Sequence, residues 1–261
     1  MIYPIYQVDA FTDKLFSGNP ACVVPLDEWL PDEQLMLIAA ENAVPETAFF
    51  VPGKNSYHLR WFTPDIEMDL CGHATLAAAH VLFTHLGHQG SSVSFSTQSG
   101  MLPVEREEDV LLLDFPSRMP LSAALPDILL DGLNIKPKEV YKARDYVLVY
   151  DNEDDIRQIK PDREKFDRIN IDPGGVIITA PGKTVDFVSR FFTPQASIFE
   201  DPVTGSAHCS LAPFWSKRLN KSELTAMQLS QRCGRLTCLV SDNRVKLKGS
   251  AITYMRGSIL L

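Results

Sequence analysis

The chain has 261 residues, of which 45% are hydrophobic and 22% charged, the composition of an ordinary soluble globular protein. Its length suits one large domain or two of about 130 residues, each able to bury a core. The net charge of −8 and the pI near 5.3 argue against a partner nucleic acid or an anionic membrane surface.

The pattern of apolar and cysteine residues indicates the cell compartment. The first residues, MIYPIYQVDAF, carry no basic segment or long apolar run, so neither secretion nor membrane insertion is expected. The five cysteines show no CxxC pair and no Cys/His metal spacing. They are typical of reduced thiols, and we expect a cytoplasmic protein.

The first half alternates strands with two helices. Strands are predicted at 2–11, 21–24, 47–51 and 56–63, with a turn at 17–20. Pro31 and the two acidic residues after it predict a helix to about residue 42. Residues 73–86 are apolar almost all round and end at Gly87, which indicates a helix buried on most sides. Strands are expected again at 92–97, 102–106 and 110–115.

The second half repeats this order in outline. Strands are predicted at 175–179 and 185–193, and a helix begins near Ser206. A segment rich in proline and leucine follows Pro116. We therefore expect domains at 1–116 and 117–261, with the last strand free to cross back to the first half.

A literal repeat indicates that the two halves arose by duplication. The sequence Phe-Thr-Pro at 62–64 precedes LCGHA at 70–74 and a helix, and Phe-Thr-Pro at 192–194 precedes VTGSA at 203–207 and a helix. The offsets are 130 and 133 residues, about half of the chain. Two like halves related by a pseudo-twofold axis are therefore expected.

Each of the two repeated helix starts offers a place for a small anion. A glycine before a helix leaves backbone N–H groups pointing out of the helix N-terminus, where the dipole also favours negative charge. Gly72 and Gly205 occupy these positions. If both starts face one cleft, they hold a small carboxylate substrate without a lysine or arginine.

The polar residues near these starts each allow a catalytic and a structural interpretation. Glu46 precedes a strand too apolar to be an exposed edge, so it is either a partly desolvated acid/base or a surface group in a turn. His73 either acts in the site or bonds a loop carbonyl. Asp201 and Ser206 either line the site or cap a turn and a helix. Cys71 is either a thiol activated by the helix terminus or a small buried hydrophobe.

Several segments together resemble the PhzF-like phenazine-biosynthesis family. They follow the family order over nearly the whole chain: FSGNPACVV (16–24), PETAFF (45–50), FTPDIEMDLCGHATLAAAHVL (62–82) and FEDPVTGSAHCSLAPFW (199–215). The stretch LSQRCGRL (229–236) is similar to a further family segment, with Cys233 where a glycine is usual.

This resemblance implies a fold and a site. The fold is the α+β fold of diaminopimelate epimerase, with two pseudo-symmetric halves, each a bent, barrel-like sheet around a central helix. Glu46 falls on the family's proton-shuttling acid/base. The side chains of His73, Asp201 and Ser206 line the same cleft, and the substrate is approached at Gly72, Gly205 and the residues before them, Cys71 and Thr204.

The implied activity is that of an isomerase that moves a proton on a small carboxylate-bearing substrate without metal, nucleotide or pyridoxal. The resemblance also implies a homodimer. True epimerases of the superfamily carry a cysteine before each helix-start glycine, but here the two positions hold Cys71 and Thr204. Threonine is too weak an acid to replace the second thiol, so the Glu46 mechanism is favoured.

Two alternatives stay open. One is a cysteine-dependent epimerase that uses Cys71 with another base. The other is a non-catalytic binding module built on the duplicated scaffold.

Overall fold

The chain divides into two compact units, and the computed structural model describes residues 1–171 and 174–261. The first unit consists of Met1–Asp114 and Leu247–Leu261, and the second of Phe115–Lys246. The first unit thus ends two residues before the predicted boundary at 116. The C-terminal segment belongs to the first unit because its strand pairs with the N-terminal strand from Ile2↔Leu260 to Ala10↔Ala251.

Both units consist of strands with a few helices between them. In chain order the strands are β1 (Ile2–Ala10), β2 (Asn19–Pro25), β3 (Glu46–Pro52), β4 (Tyr57–Phe62), β5 (Glu67–Met68), β6 (Ser92–Thr97), β7 (Gly100–Glu107), β8 (Val110–Pro116), β9 (Leu121–Ser122), β10 (Glu139–Lys142), β11 (Tyr146–Val149), β12 (Val176–Pro181), β13 (Phe187–Phe192), β14 (Glu200–Asp201), β15 (Glu223–Gln228), β16 (Gly234–Ser241), β17 (Arg244–Gly249) and β18 (Ala251–Leu260). The helices are α1 (Asp32–Asn42), α2 (Gly72–Thr84), α3 (Asp127–Asp131), α4 (Glu153–Gln158), α5 (Arg163–Phe166) and α6 (Gly205–Leu219). None of the helices in the described part of the chain has the length and apolar character that a membrane crossing requires.

The strand pairings of the second unit repeat those of the first. In the first unit β1 pairs antiparallel with β2, β2 parallel with β3, β3 antiparallel with β4, β4 antiparallel with β5 and parallel with β6, and β6 antiparallel with β7. In the second unit β10 to β16 show the same sequence of partners and directions. Helix α2 lies between β5 and β6, and α6 between β14 and β15. This correspondence supports the duplication inferred from the sequence repeat.

An ion pair is repeated along with the strands. Arg60 of β4 binds both carboxylate oxygens of Glu67 in β5 at 2.7 Å. Arg190 of β13 binds both oxygens of Glu200 in β14 at 2.7 and 2.9 Å. Both arginines also lie over the phenylalanine that ends their strand, at 5.0 and 4.9 Å from the ring centroid. Such two-pronged pairs fix geometry, and here they hold the short strands that lead to α2 and α6.

Helix α2 is buried on almost every side, as its composition predicts. All of its residues except His80 and Thr84 are buried. Alanine favours helix formation and adds little bulk, so the run at 77–79 lets strands pack closely, and burial of Leu76 contributes roughly 1.5–3 kcal/mol. The helix ends at Thr84, earlier than the predicted residue 86, and Gly87 takes a left-handed conformation with φ +67° beyond it.

Helix α6 contains a proline that would leave one carbonyl without a partner. Pro213 has no N–H to donate to the carbonyl four residues earlier, which is that of Cys209. The backbone N–H of Arg118 donates to this carbonyl instead, at 2.9 Å. The hydrogen bond that α6 lacks at Pro213 is therefore replaced by one from a residue outside the helix.

The unusual cysteine of the LSQRCGRL segment has the backbone of a glycine. Cys233 has φ +52°, a left-handed conformation that most L-residues adopt only at a cost. Its N–H donates to the hydroxyl of Ser230 at 3.1 Å, and the turn is thereby held. The position suits the glycine that the family resemblance leads one to expect there.

Candidate active site

Three side chains of the first unit meet at the N-terminus of α2. Glu46 begins β3, and Cys71 and His73 flank the first residue of α2. His73 Nε2 lies 3.1 Å from Glu46 Oε2, and His73 Nδ1 lies 3.5 Å from Cys71 Sγ. The side chain of Glu46 is only 15% exposed and that of His73 only 4%. The interpretation of Glu46 as a surface group in a turn is therefore wrong.

The contact between Glu46 and His73 has the distance of an ion pair but not the geometry of a hydrogen bond. Oε2 and Nε2 are both buried and neither has a hydrogen-bond partner within the described residues. Unsatisfied buried polar atoms cost free energy, and a catalytic role is one established reason why proteins retain them.

Asn19 is a further member of this cluster. It is fully buried at the start of β2, and its Nδ2 lies 3.1 Å from His73 Nδ1. Sequence reasoning treated Asn19 only as part of a turn, because nothing in the local pattern shows that β2 passes beside the start of α2. Its place in the segment FSGNPACVV was the available signal.

Burial and neighbouring charge set the protonation of the cluster. Burial raises the pKa of the Cys71 thiol to about 11. Burial disfavours a charged His73, but Cys71 and Glu46 raise its pKa well above the usual value. Desolvation of Cys71 thus outweighs the effect of the helix terminus and disfavours a thiolate at this position.

The cluster is a poor chelate for a single metal ion. Glu46, Cys71 and His73 offer ligand atoms that all lie within 4.8 Å of one another, and such a donor set is one that zinc accepts. However, the Cys71 sulfur lies beside Nδ1 of the imidazole and the Glu46 carboxylate lies beside Nε2. An ion bound in line with one nitrogen would therefore lie away from the ligand beside the other.

A separate polar network lies before α6 in the second unit. The Thr204 hydroxyl donates to Asp201 Oδ2 at 2.5 Å. Gln228 Oε1 accepts the Thr204 N–H at 2.9 Å, and Gln228 Nε2 donates to the Asp201 carbonyl at 2.7 Å. The structure thus joins Asp201 and Thr204, while the fully buried Gln228 was missed because a glutamine at the end of a strand gives no local signal.

Both helix starts have uncapped first turns. Neither N-cap residue, Cys71 in α2 or Thr204 in α6, accepts a hydrogen bond from its helix through its side chain. Gly72 and Gly205 are the first residues of these helices and are buried, and Ser206 follows half-buried in α6. The first-turn N–H groups are therefore not taken up by their caps, as an anion site requires.

Comparison with known proteins identifies the family. Residues 8–257 match the sequence profile of the phenazine biosynthesis-like proteins. The chain belongs to this family. A family member from Pseudomonas aeruginosa, named an uncharacterized isomerase, is 51% identical over 258 residues that cover 98% of both chains. A phenazine biosynthesis-like domain-containing protein of Mus musculus is 37% identical and covers 99% of both.

Solved structures confirm the predicted fold class. A PhzF-family phenazine biosynthesis protein from Enterococcus faecalis superposes with a TM-score of 0.95, at 46% identity and over 100% of both chains. A predicted epimerase from Pseudomonas aeruginosa has a TM-score of 0.76 at 18% identity, over 99% of both chains. The latter identity supports the fold alone. The chain therefore has the α+β, epimerase-like fold of the phenazine biosynthesis-like family.

Proposed function

We propose that this phenazine biosynthesis-like isomerase moves a proton on a small carboxylate-bearing metabolite, with Glu46 as the acid/base and no cofactor. The approach of Glu46 Oε2 to His73 Nε2 at 3.1 Å, in a buried cluster, carries the proposal. Titratable groups with shifted pKa values that lie together at low exposure favour an acid/base site. Loss of solvent-deuterium incorporation into the substrate in Glu46→Gln tests it.

In this proposal His73 supports Glu46. A histidine with a raised pKa places positive charge or an N–H group beside the carboxylate and favours its ionised form. An ionised Glu46 can take a proton from substrate carbon, and the protonated side chain can return it at another position. The side chains of Asp201 and Ser206 are proposed as further substrate contacts.

The two alternatives are less well supported. A cysteine-dependent epimerase needs a thiolate, but burial raises the pKa of Cys71 to about 11, and the hydroxyl of Thr204 is engaged by Asp201. A purely binding module gives no reason for a buried Glu46–His73 pair. Proton transfer by Glu46 gives the buried Glu46–His73 pair a role and needs no thiolate at Cys71.

Each helix start, at Gly72 and at Gly205, is proposed as a place where a carboxylate binds. Gly205→Val is expected to weaken binding of a small carboxylate about 10- to 100-fold, because a branched side chain blocks approach to N–H groups whose charge-assisted contacts are worth roughly 1.5–3 kcal/mol each. Calorimetric titration and melting temperature, measured on the same samples, check this.

Gly257→Val is the control for the glycine change. Gly257 lies in β18, and a Cβ there would meet only Ile5 Cγ2, at 3.9 Å, so binding should be unchanged. A Gly205→Val protein that melts much earlier but binds carboxylate normally would show that the glycine serves only the turn.

Homodimer formation is proposed on family grounds. The first unit also exposes apolar side chains: Phe16, Tyr254 and Met255 are 68%, 49% and 41% exposed, and the rings of the first two lie 5.7 Å apart. Apolar surface of this kind favours association. Light scattering should give about twice the chain mass of 29.2 kDa, whereas the mass of a single chain would contradict the proposal.

A further inference from the structure

A tightly constrained turn places Asn19 beside His73. Gly18, just before it, has φ +67°, and a Cβ at Gly18 would lie 2.2 Å from the carbonyl oxygen of Ala10 and 2.7 Å from Thr12 Cγ2. Asn19 then pairs with Ala10 as the first residue of β2. The amide is therefore placed by backbone that admits only glycine before it, and not by a movable surface loop.

Two groups approach the same nitrogen of His73. Asn19 Nδ2 lies 3.1 Å and Cys71 Sγ 3.5 Å from Nδ1, whereas Nε2 faces Glu46. An amide NH₂ and a thiol are both donors, so around a neutral ring they make Nδ1 the acceptor and leave the proton on Nε2. Half a turn of the Asn19 amide instead presents its oxygen to the Nδ1–H of an imidazolium.

We infer that Asn19 is a positioning residue that sets the proton occupancy of His73 and, through it, the ionisation of Glu46. The inference rests on the proposed role of Glu46 and deepens it. An amide serves both protonation states of the ring, so the Glu46–His73 pair can gain or lose a proton without leaving Nδ1 unsatisfied. A carboxylate or an alkyl group at the same position would serve only one state or neither.

The titration of His73 in variants of Asn19 tests this inference. In Asn19→Asp a carboxylate beside Nδ1 favours the imidazolium, so the ring should stay protonated to a pH about one to three units higher than in the wild type. In Asn19→Leu the oxygen that stabilises the charged ring is lost, and the ring should deprotonate at lower pH. Nitrogen-15 NMR of labelled histidine follows the ring without any substrate, and the pH profile of turnover should move in the same direction.

Asn42→Asp is the matched control. Asn42 ends α1 and donates to Thr47 Oγ1 at 3.1 Å, next to Glu46 in the chain, so this change adds the same charge near Glu46 at a side chain that bonds Thr47 and not His73. The other titratable groups that bear on His73 are Cys71 and Glu46, and both are kept. Equal shifts in Asn19→Asp and Asn42→Asp would overturn the inference.

The remaining outcomes separate the inference from the proposed function. A shifted His73 with an unmoved turnover profile would overturn the link from Asn19 to Glu46, whereas normal turnover in Glu46→Gln would overturn the proposed function itself. If the variants do not fold, nitrogen-15 NMR of His73 in the wild-type protein tests the inference. A neutral His73 whose proton resides on Nδ1 would contradict the inference, and one protonated on Nε2 supports it.

Discussion

Glu46→Gln is expected to lower turnover by about 10²- to 10⁴-fold, the usual effect of removing a positioned acid/base, while the melting temperature changes little. The amide keeps the size of the side chain at the start of β3 but carries no transferable proton at neutral pH. It also fills the same space beside His73, so the cluster should stay assembled. Turnover of a substrate found by screening carboxylates, together with thermal unfolding, measures both effects.

Glu67→Gln provides the comparison for this change. Glu67 is also a partly buried carboxylate of the first unit, 23% exposed, but it binds Arg60. Its amide variant should therefore lose some stability and keep its turnover. Full turnover in Glu46→Gln would refute the role of Glu46, and an equal loss in both variants would attribute the effect to a general disturbance of the unit.

Gly18→Ala is expected to lower the free energy of unfolding by about 2–4 kcal/mol. An alanine at φ +67° carries a left-handed strain of roughly 1–2 kcal/mol, and its Cβ would lie 2.2 Å from the carbonyl oxygen of Ala10, so the backbone must also move. Because the turn leads directly to Asn19, the same change should disturb the His73 cluster. Urea unfolding measures the loss.

Gly87→Ala isolates the effect of the clash. Gly87 has the same φ of +67°, but a Cβ there has nothing within 4 Å, so only the strain of roughly 1–2 kcal/mol is expected. Equal losses at the two positions would show that the contact with Ala10 is relieved without cost, and that Asn19 is not held by it.

The two long buried helices and most strands of the first half could be predicted because each has a local signal. The apolar composition of residues 73–86 identified α2, and the repeated Phe-Thr-Pro and Gly-X-Ala segments identified α6 and the duplication. The strands β10, β11, β15 and β16, the short helices α3, α4 and α5 and the two-residue strands were not predicted. The shortest of them are too brief for periodicity and depend on their partners, as β14 does on the Arg190–Glu200 pair.

The sequence identified several residues of the site but not the contacts that surround them. Glu46 and His73 were identified, and the structure places them in contact. Asn19 and Gln228 were missed because each reaches its partner across a long separation in the chain. The sequence left open whether Cys71 is an activated thiol or a buried group, because the burial that raises its pKa follows from tertiary packing and not from the neighbouring helix start.

Deuterium incorporation from D₂O into the substrate, followed by mass spectrometry or NMR, tests the central claim most directly. The wild-type protein should introduce solvent deuterium at the carbon that gains the proton, and Glu46→Gln should do so at least about a hundredfold more slowly. Cys71→Ser serves as the companion variant, because the thiol is not the proposed proton carrier. Incorporation that persists in Glu46→Gln and disappears in Cys71→Ser would contradict the account and favour cysteine-dependent epimerisation.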